Sequence, residues 1–228
     1  GDLFVCITGA ASDGHDYAAA ALQKGAAAVV CERDLGLENQ VLVADTHGAY
    51  GKIAANFYGN PSKKLKLIGV TGTKGKTTVT SLIKAILTRT GQKVGLIGTI
   101  QNEIGDEVLH TENTTPDAME LERLYRKMVE AGCEYCVMEV SSHALDQERI
   151  GDSHYEVAVF TNLSHEHLDY HKDMESYFAA KKKLFSRCDK AVVNVDDAYG
   201  RRIAADCTCP VMTFSLEEEA DLRAFQLT

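Results

Sequence analysis

A glycine-bearing loop stands between an apolar run and a helix-forming run in the first half of the sequence. It reads Thr71-Gly72-Thr73-Lys74-Gly75-Lys76-Thr77-Thr78. Glycines let backbone amides turn onto phosphate oxygens, and the N-terminus of the following helix adds a positive potential. Lys76 can reach the outer phosphates of a nucleotide, and the Thr77 hydroxyl can bind Mg²⁺. The spacing lacks the first glycine of the usual P-loop, because position 70 is Val, so an ordinary glycine turn is the alternative.

Acidic and histidine side chains follow two other predicted strands. Glu139 ends one apolar run, where a carboxylate can hold Mg²⁺ beside a nucleotide. Taken alone, the residue favours the alternative, a solvated acid at a strand end. The next run opens into 161–171, whose last seven positions hold three histidines and two acids. Imidazole and carboxylate together suit a divalent metal. The alternatives are a polar surface loop and a zinc hydrolase site built on His165, His167 and His171.

A lysine falls within the apolar stripe of another predicted helix. The apolar residues recur at helical spacing and mark one buried face, formed by Met174, Tyr177, Phe178, Leu184 and Phe185. Lys181 lies in the middle of that face, whereas Lys182 and Lys183 lie off it. Burial favours a neutral amine, which can react with CO₂ to give a carbamate that acts as an extra carboxylate. Snorkelling of the lysine stem along the core edge is the alternative, and the spacing favours neither.

Strand-like runs alternate with helix-like runs, which predicts an α/β fold with a largely parallel sheet. In the first unit we expect strands at 3–8, 27–31 and 41–44 and helices at 15–24 and 46–58. A turn cluster at 59–62 predicts a domain boundary. In the second unit we expect strands at 66–71, 93–97, 134–140, 156–161 and 191–195. We expect its helices at 76–90, 117–130, 174–187 and 197–205, and a hairpin at 101–110.

Composition narrows the function further. The net charge of −9 argues against general nucleic-acid binding, which needs clustered Lys and Arg. No apolar run is long enough to span a bilayer, and the first residues lack the basic start and apolar stretch of a signal peptide. We therefore expect a cytoplasmic protein with no membrane or nucleic-acid partner, whose seven cysteines are reduced.

Five motifs occur in the order in which one known family carries them. They are TGTKGKTT at 71–78, ENTTPD at 112–117, EVSSHALDQERI at 139–150, TNLSHEHLDYH at 161–171 and AAKKKLF at 179–185. Together they resemble the Mur ligases. Residues 1–60 resemble the later part of that family's N-terminal UDP-binding domain, through Asp13-Gly14-His15-Asp16. The resemblance implies a partial N-terminal UDP-binding α/β domain at 1–62. A central P-loop-type ATPase domain would follow at 63–228, incomplete at its C-terminus.

The resemblance also implies ATP and Mg²⁺ as cofactors, with a carbamylated Lys181 that helps place the metal and the γ-phosphate. The implied ATP-binding residues are Gly72, Thr73, Lys74, Gly75, Lys76, Thr77, Thr78, Asn194 and Asp197. The family more often has Asn where Lys74 stands. The implied catalytic residues are Lys76, Glu139, His167 and Lys181, and the implied metal ligands are Thr77, Glu139, His167 and Lys181 as its carbamate.

A second set of residues is implied to hold the substrate, UDP-MurNAc-L-Ala-D-Glu. It consists of Asn113, Thr114, Thr115, Ser141, Gln147 and Arg149, with His15 and Asp16 near the uridine diphosphate. The implied reaction is ATP-dependent addition of the third amino acid, meso-diaminopimelate or L-lysine, through an acyl phosphate. That step belongs to peptidoglycan precursor synthesis, and hence to cell-wall biogenesis, cell shape and cell division.

The resemblance points to a monomeric enzyme whose partners are the UDP-MurNAc-dipeptide and a diamino acid. Without the family's C-terminal domain, we expect this chain to bind nucleotide and to turn over poorly or not at all. Two alternatives stay open. One is another amide ligase of the superfamily, such as folylpolyglutamate synthetase, although the run SSHALDQER favours the muramyl substrate. The other is a nucleotide-binding module with no catalytic activity.

Overall fold

Two β-sheets with flanking helices make up the computed structural model, which describes residues 1–9 and 12–225. The first sheet has three parallel strands in the order β1–β2–β3. Its elements are β1 (Leu3–Val5), α1 (Ala18–Gln23), β2 (Ala28–Cys31), β3 (Gln40–Leu42) and α2 (Thr46–Phe57). Helix α2 begins at its predicted residue, because the Asp45 side chain accepts the backbone N–H groups of His47 and Gly48.

The second sheet has nine strands, in the order β12–β11–β10–β9–β4–β8–β5–β6–β7. All of its pairings are parallel except β5–β6 and β6–β7. The strands are β4 (Lys66–Thr71), β5 (Val94–Ile97), β6 (Asn102–Ile104), β7 (Glu107–Leu109), β8 (Tyr135–Glu139), β9 (Tyr155–Phe160), β10 (Cys188–Asn194), β11 (Val211–Ser215) and β12 (Leu222–Arg223). The predicted α/β class with a largely parallel sheet is confirmed.

Six helices connect these strands within the described residues. They are α3 (Lys76–Arg89), α4 (Ala118–Glu130), α5 (Ser142–Asp146), α6 (Leu168–His171), α7 (Met174–Lys182) and α8 (Ala198–Asp206). Asp117, Asp173 and Asp197 cap α4, α7 and α8 by accepting backbone N–H groups in the first turn. Within the described residues, no helix has the length and apolarity needed to cross a membrane.

Strand β4 lies between β8 and β9, so the segments that follow these three strands share one edge of the sheet. This is the edge at which ligands bind in open α/β sheets. The connections concerned are the glycine loop after Thr71, the segment after Glu139 and the segment after Phe160. The topology therefore brings together three motifs that lie far apart in the sequence.

Some predicted boundaries were wrong. The strand expected at 3–8 ends at Val5, and the helix expected at 15–24 begins as a 3₁₀ turn, Gly14–Tyr17, because Asp13 caps it. The helix expected at 174–187 ends at Lys182 and continues as a 3₁₀ turn, which turns both Leu184 and Phe185 into the core. Helix α5 was missed, since five residues are too few for helical periodicity to show.

The two units contact each other closely. A Cβ atom on Gly51 of α2 would lie 2.7 Å from the Cα atom of Gly151, in the loop before β9. Tyr50 OH donates to Asp117 Oδ1 at 3.3 Å. Helix α2 also packs against α4. The two sheets are thus joined by helices, while the division into a UDP-binding domain at 1–62 and an ATPase domain at 63–228 stays a prediction.

Glu122 on α4 predicts a pH-dependent loss of stability. The residue is buried, and burial raises its pKa to about 7. The folded chain holds the Glu122 proton more tightly than the unfolded chain does. The protonated carboxyl therefore contributes its full stabilisation below the pKa of Glu122 in the unfolded chain, and this contribution is lost as the pH rises to about 7. Glu122→Gln should abolish this loss. At pH ~8 its free energy of unfolding should exceed that of the native chain by up to ~3 kcal/mol.

Urea unfolding of both chains at pH ~4.5 and ~8 measures the difference. Glu134→Gln, at an exposed position, is the matched control and should follow the native chain. Equal pH dependence in Glu122→Gln and the native chain would contradict the prediction.

Candidate functional site

The glycine loop forms the connection between β4 and α3. Gly72 has φ +149° and Gly75 has φ +86°, both in the region that favours glycine. A Cβ atom on Gly72 would collide with Thr161 Oγ1, whereas a Cβ on Gly75 would meet open space. Gly75 is the N-cap of α3. The loop therefore packs its first glycine against the end of β9 and leaves its second at the helix N-terminus, where an anion can bind.

Residues after β9 hold the loop in shape. Thr73 N donates to Asn162 O at 2.8 Å, and Lys74 N donates to Asn162 Oδ1 at 3.0 Å. Lys74 O accepts from Thr161 Oγ1 and from Asn162 Nδ2. Ser164 N donates to Thr73 Oγ1 at 2.9 Å. Lys74 thus fixes the loop through its backbone, while its side chain extends from an exposed position.

Two lysines share the carbonyl of Gly72. Lys76 Nζ donates to Gly72 O at 3.0 Å and to Thr73 O at 2.9 Å, and Lys181 Nζ donates to Gly72 O at 2.9 Å. Burial lowers the pKa of Lys76. Burial, together with the nearby charge of Lys76, holds the pKa of Lys181 well below its ordinary value. Lys181 is only 1% exposed, so the snorkelling alternative is wrong.

The carboxylate of Glu139 lies at the end of β8, beside the first turn of α3. Glu139 is buried, and its Oε1 accepts from Thr77 Oγ1 at 2.9 Å. Thr99, which follows β5, donates its N–H to the same oxygen at 2.9 Å and its hydroxyl to Oε2 at 3.0 Å. Hydroxyl and carboxylate oxygens are the ligands that Mg²⁺ prefers. Thr77 and Glu139 therefore fit a magnesium ion beside the loop.

His167 lies in the segment that follows β9. It has φ 57° and is the N-cap of α6. Its ring centroid is 6.1 Å from that of Tyr177, and Lys181 Nζ is 4.6 Å from the same Tyr177 ring centroid. The residues predicted as metal ligands thus form two pairs. Thr77 contacts Glu139 directly, and His167 and Lys181 both lie against Tyr177.

The zinc-site alternative requires the other two histidines of this segment to join His167. His171 is buried and its Nε2 lies 2.9 Å from Ser142 Oγ, whereas His165 is exposed. Across residues 1–9 and 12–225, no three His, Cys, Asp or Glu side chains are grouped as ligands of a metal ion. The described residues therefore do not bring these three histidines together as a zinc site.

Four of the predicted substrate residues form one hydrogen-bonded network with Glu139. Thr115 Oγ1 donates to Glu139 O at 2.9 Å and accepts from Ser141 N at 3.0 Å. Arg149 Nη1 donates to Thr115 O at 3.2 Å, and its Nε donates to Gln147 Oε1 at 2.8 Å. The network ties the segment after β8 to the segment before α4, so these residues hold each other in place before any ligand arrives.

Cavities adjoin these predicted substrate residues. Gln147 and Arg149 line a cavity of about 380 Å³ between the two units, together with residues of β1 and α2. Asn113 lines another of about 390 Å³ at the start of α4. Thr114 points elsewhere: its hydroxyl lies 3.0 Å from that of Thr99. The predicted substrate set therefore surrounds more than one opening.

Two residues predicted to bind ATP form hydrogen bonds to the segment that follows β9. Asn194 Nδ2 donates to Thr161 O at 2.8 Å, and Asp197 Oδ2 accepts from Leu163 N at 2.7 Å. Asp197 Oδ1 also caps α8. Thr78 lies on an exposed face of the first turn of α3. In this arrangement Asn194 and Asp197 support the glycine loop indirectly, by holding the strand end on which it packs.

His15 has both ring nitrogens engaged inside the first unit. Its Nδ1 lies 2.6 Å from Asp13 Oδ1, and its Nε2 accepts from Glu32 N at 2.9 Å. The ring is buried, whereas Asp16 is exposed and lies 3.9 Å from Arg33. The prediction that His15 and Asp16 lie near the uridine diphosphate stays a prediction. In this geometry the His15 ring has no nitrogen left to bind a ligand directly.

Comparison with known families follows the same division of the chain. The family model described as the Mur ligase middle domain matches residues 70–228, and the one described as the Mur ligase family catalytic domain matches residues 1–58. The chain belongs to the Mur ligase family.

Two curated relatives of this Mur ligase chain are named UDP-N-acetylmuramoyl-L-alanyl-D-glutamate–2,6-diaminopimelate ligase. That of Clostridium botulinum is 45% identical over 100% of this chain and 48% of its own length. That of Clostridium acetobutylicum, which carries the number 1 in its name, is 47% identical over 99% of this chain and 47% of its own. The chain thus spans about half the length of the curated relatives it matches.

Solved structures of other Mur ligases share the fold. One, titled as a UDP-N-acetylmuramoyl-L-alanyl-D-glutamate–2,6-diaminopimelate ligase, has a TM-score of 0.84 and 32% identity, and covers 97% of this chain and 47% of its own. The MurF ligase from Thermotoga maritima in complex with ADP has a TM-score of 0.58 and 24% identity, and covers 96% and 48%. The second likeness shows the fold alone.

Sequence reasoning missed three residues that hold this Mur ligase site together. Asn162 holds the backbone of the glycine loop, Tyr177 lies against Lys181, and Thr99 binds Glu139. Thr99 stands two residues after the end of β5, and a polar residue just beyond a strand of the parallel sheet is a signal that could have found it. Tyr177 looked like an ordinary member of an apolar stripe.

Gly72→Ala tests whether the packing of the loop against Thr161 requires a residue without a Cβ atom at position 72. The new methyl group would collide with Thr161 Oγ1, so we expect weaker nucleotide binding and a loss of stability of ~1–3 kcal/mol. Gly91→Ala is the matched control: Gly91 has φ +88° and nothing within 4 Å of an added Cβ. Isothermal titration with ATP and urea unfolding check both variants. Equal effects of the two substitutions would contradict the packing argument.

Proposed function

We propose that this chain carries the nucleotide and substrate sites of an ATP-dependent ligase. The ligase adds 2,6-diaminopimelate to UDP-MurNAc-L-Ala-D-Glu, one step of cytoplasmic peptidoglycan precursor synthesis. One observation carries the proposal: Lys76 and Lys181 converge on the carbonyl of Gly72, next to the Thr77–Glu139 pair. The names of relatives that are 43–47% identical to this chain support the choice of substrates.

In the first chemical step, a carboxylate oxygen of the substrate attacks the γ-phosphorus of ATP, ADP leaves, and an acyl phosphate forms. The charge on the transferred phosphoryl group needs fixed positive partners. The Lys76 ammonium and the loop amides supply them, since the glycine loop and the N-terminus of α3 face the same place. The carbonyls of Gly72 and Thr73 keep Lys76 in position beforehand.

Thr77, Glu139, His167 and Lys181 are the residues that would hold magnesium in this proposal. A bound Mg²⁺ supplies charge neutralisation at the phosphates. For Lys181, the neutral amine attacks CO₂ and loses one proton, which leaves a carbamate. The change replaces a potential cation near Lys76 by an anion, so the two side chains attract each other instead of repelling. Burial of Lys181 favours the reactive neutral form.

In the second step, the amine of the diamino acid attacks the acyl phosphate, and inorganic phosphate leaves from the tetrahedral intermediate. No covalent bond to the protein forms. In this proposal residues 1–62 contribute to uridine diphosphate binding, with Asp16 accessible and His15 holding the loop that carries it. In the same proposal Gln147 and Arg149, which line the cavity between the two units, contact the remainder of the substrate.

The alternatives have less support. Folylpolyglutamate synthase of Mycobacterium tuberculosis matches with a TM-score of 0.56 and 15% identity, which indicates a common fold and nothing about substrate. A nucleotide-binding module with no catalytic activity would not need Lys181 buried at 1% exposure beneath the loop, because a buried lysine is costly unless its chemistry is used.

Lys76→Ala tests the nucleotide assignment. We expect at least ~100-fold weaker ligation, because a charge on the transferred group loses its fixed partner. Isothermal titration of this chain measures Mg²⁺-dependent ATP binding. Ligation is measured on a longer polypeptide that contains this chain and has the full length of the curated relatives. Reactions contain UDP-MurNAc-L-Ala-D-Glu with 2,6-diaminopimelate or L-lysine. Lys190→Ala, at an exposed position of β10, is the control. Normal ligation by Lys76→Ala would refute the proposal, and a preference for L-lysine would refute the choice of amino acid.

Lys181→Ala tests the carbamate. Activity should fall at least ~100-fold and should recover partly when a small carboxylate such as formate is added, since the added anion replaces the lost carbamate. Lys182→Ala, which removes the neighbouring lysine paired with Asp206, should behave like the native protein. Loss of activity without rescue, together with loss of thermal stability, would leave Lys181 with a packing role only.

A further inference from the structure

The carboxylate of Glu139 is held mainly by one residue that no motif indicated. Among the described residues three hydrogen bonds reach its oxygens, and two of them come from Thr99. The backbone N–H of Thr99 binds Oε1 and its hydroxyl binds Oε2, so both oxygens are engaged by the same residue. A buried carboxylate with both oxygens bound in this way has a fixed orientation.

The residue before Thr99 makes room for this contact. A Cβ atom on Gly98 would lie 2.6 Å from Glu139 Oε1, which is too short for a carbon beside a carboxylate oxygen. Gly98 and Thr99 therefore form the binding position of the Glu139 carboxylate beyond the end of β5. The glycine lets the carboxylate approach, and the threonine binds it.

The same hydroxyl reaches the predicted substrate segment. Thr99 Oγ1 lies 3.0 Å from Thr114 Oγ1 and 3.0 Å from Glu139 Oε2. Thr99 donates its single hydroxyl proton to Glu139 Oε2, so towards Thr114 its hydroxyl can only accept. The Thr114 hydroxyl must then donate to Thr99, and the lone pairs of the Thr114 oxygen are available to accept a hydrogen bond from a ligand. The order of donors is thereby set from Thr114 to Thr99 to Glu139.

We propose that Thr99 is a positioning residue that orients Glu139 for the metal and couples it to Thr114 in the substrate segment. The inference deepens the proposed function and depends on it. Coupling of this kind is reciprocal: a ligand that binds Thr114 strengthens the metal side, and the metal strengthens binding at Thr114 by the same factor.

Thr99→Val keeps the shape and the backbone N–H but removes the hydroxyl. We expect roughly tenfold weaker Mg²⁺-dependent ADP binding by the chain, and unchanged ADP binding without Mg²⁺, because a hydrogen bond to a charged group is lost. Thr99→Ser should restore the native affinity. Thr90→Val is the matched control, since Thr90 donates its hydroxyl only to Leu87 O at the far end of α3. Isothermal titration with Mg²⁺ and with Mn²⁺ gives the affinities.

Coupling is measured by repeating the titration with UDP-MurNAc-L-Ala-D-Glu present. The substrate should tighten Mg²⁺–ADP binding in the native chain but not in Thr99→Val or Thr114→Val. Gly98→Ala leaves the Thr99 hydroxyl intact and displaces the carboxylate, so it should weaken Mg²⁺–ADP binding as Thr99→Val does. Circular dichroism and thermal unfolding confirm that each variant is folded.

The outcomes separate the two levels of the argument. A native chain that binds ADP no better with Mg²⁺ than without it would overturn the proposed function. Mg²⁺-dependent binding that is lost in Lys76→Ala but identical in Thr99→Val, Gly98→Ala and the native chain would overturn the role of Thr99 alone. Loss of substrate coupling only in Thr99→Val and Thr114→Val supports the ordered pair of hydroxyls.

Discussion

The close approach of Gly72 to the end of β9 is the constraint on which the site depends. Without a side chain, Gly72 brings its backbone against Thr161, and the loop amides then meet the side chain and carbonyl of Asn162. Any larger residue would push the loop away from the neighbouring strand. The loop keeps its shape because an adjacent strand end holds it, so its geometry is a property of the parallel sheet as well as of the glycines.

The carbonyl of Gly72 also organises charge. Lys76 approaches it from α3 and Lys181 approaches it from α7, so two amines lie near one oxygen in a poorly solvated place. Burial and mutual repulsion both disfavour two charges there. The arrangement favours either a neutral Lys181 amine or its conversion to a negatively charged carbamate. A buried lysine in such a position is explained by chemistry better than by stability.

The buried acid of the site, Glu139, is stabilised by hydrogen-bond donors. Glu139 is buried at a strand end, yet hydroxyl and backbone donors compensate the loss of solvent at its oxygens. Its own carbonyl then anchors Thr115, which anchors Ser141 and Arg149. The residues predicted to bind the metal and those predicted to bind the substrate consequently belong to one hydrogen-bonded framework, so motifs separated in the sequence are connected in the structure.

The local elements and the chemistry of the loop could be predicted from the order of the residues alone. Strand β4 and the start of α3 were predicted at their observed residues, because a buried apolar run and a glycine-lysine turn are short-range signals. The burial of Lys181 was visible only as one of two readings, since spacing shows which face a residue occupies and not whether its end reaches solvent. The roles of Thr99 and Asn162 were decided by the tertiary structure. Both act across strands that are distant in the chain, and only the parallel sheet, by aligning those strand ends, brings their donors to Glu139 and to the loop.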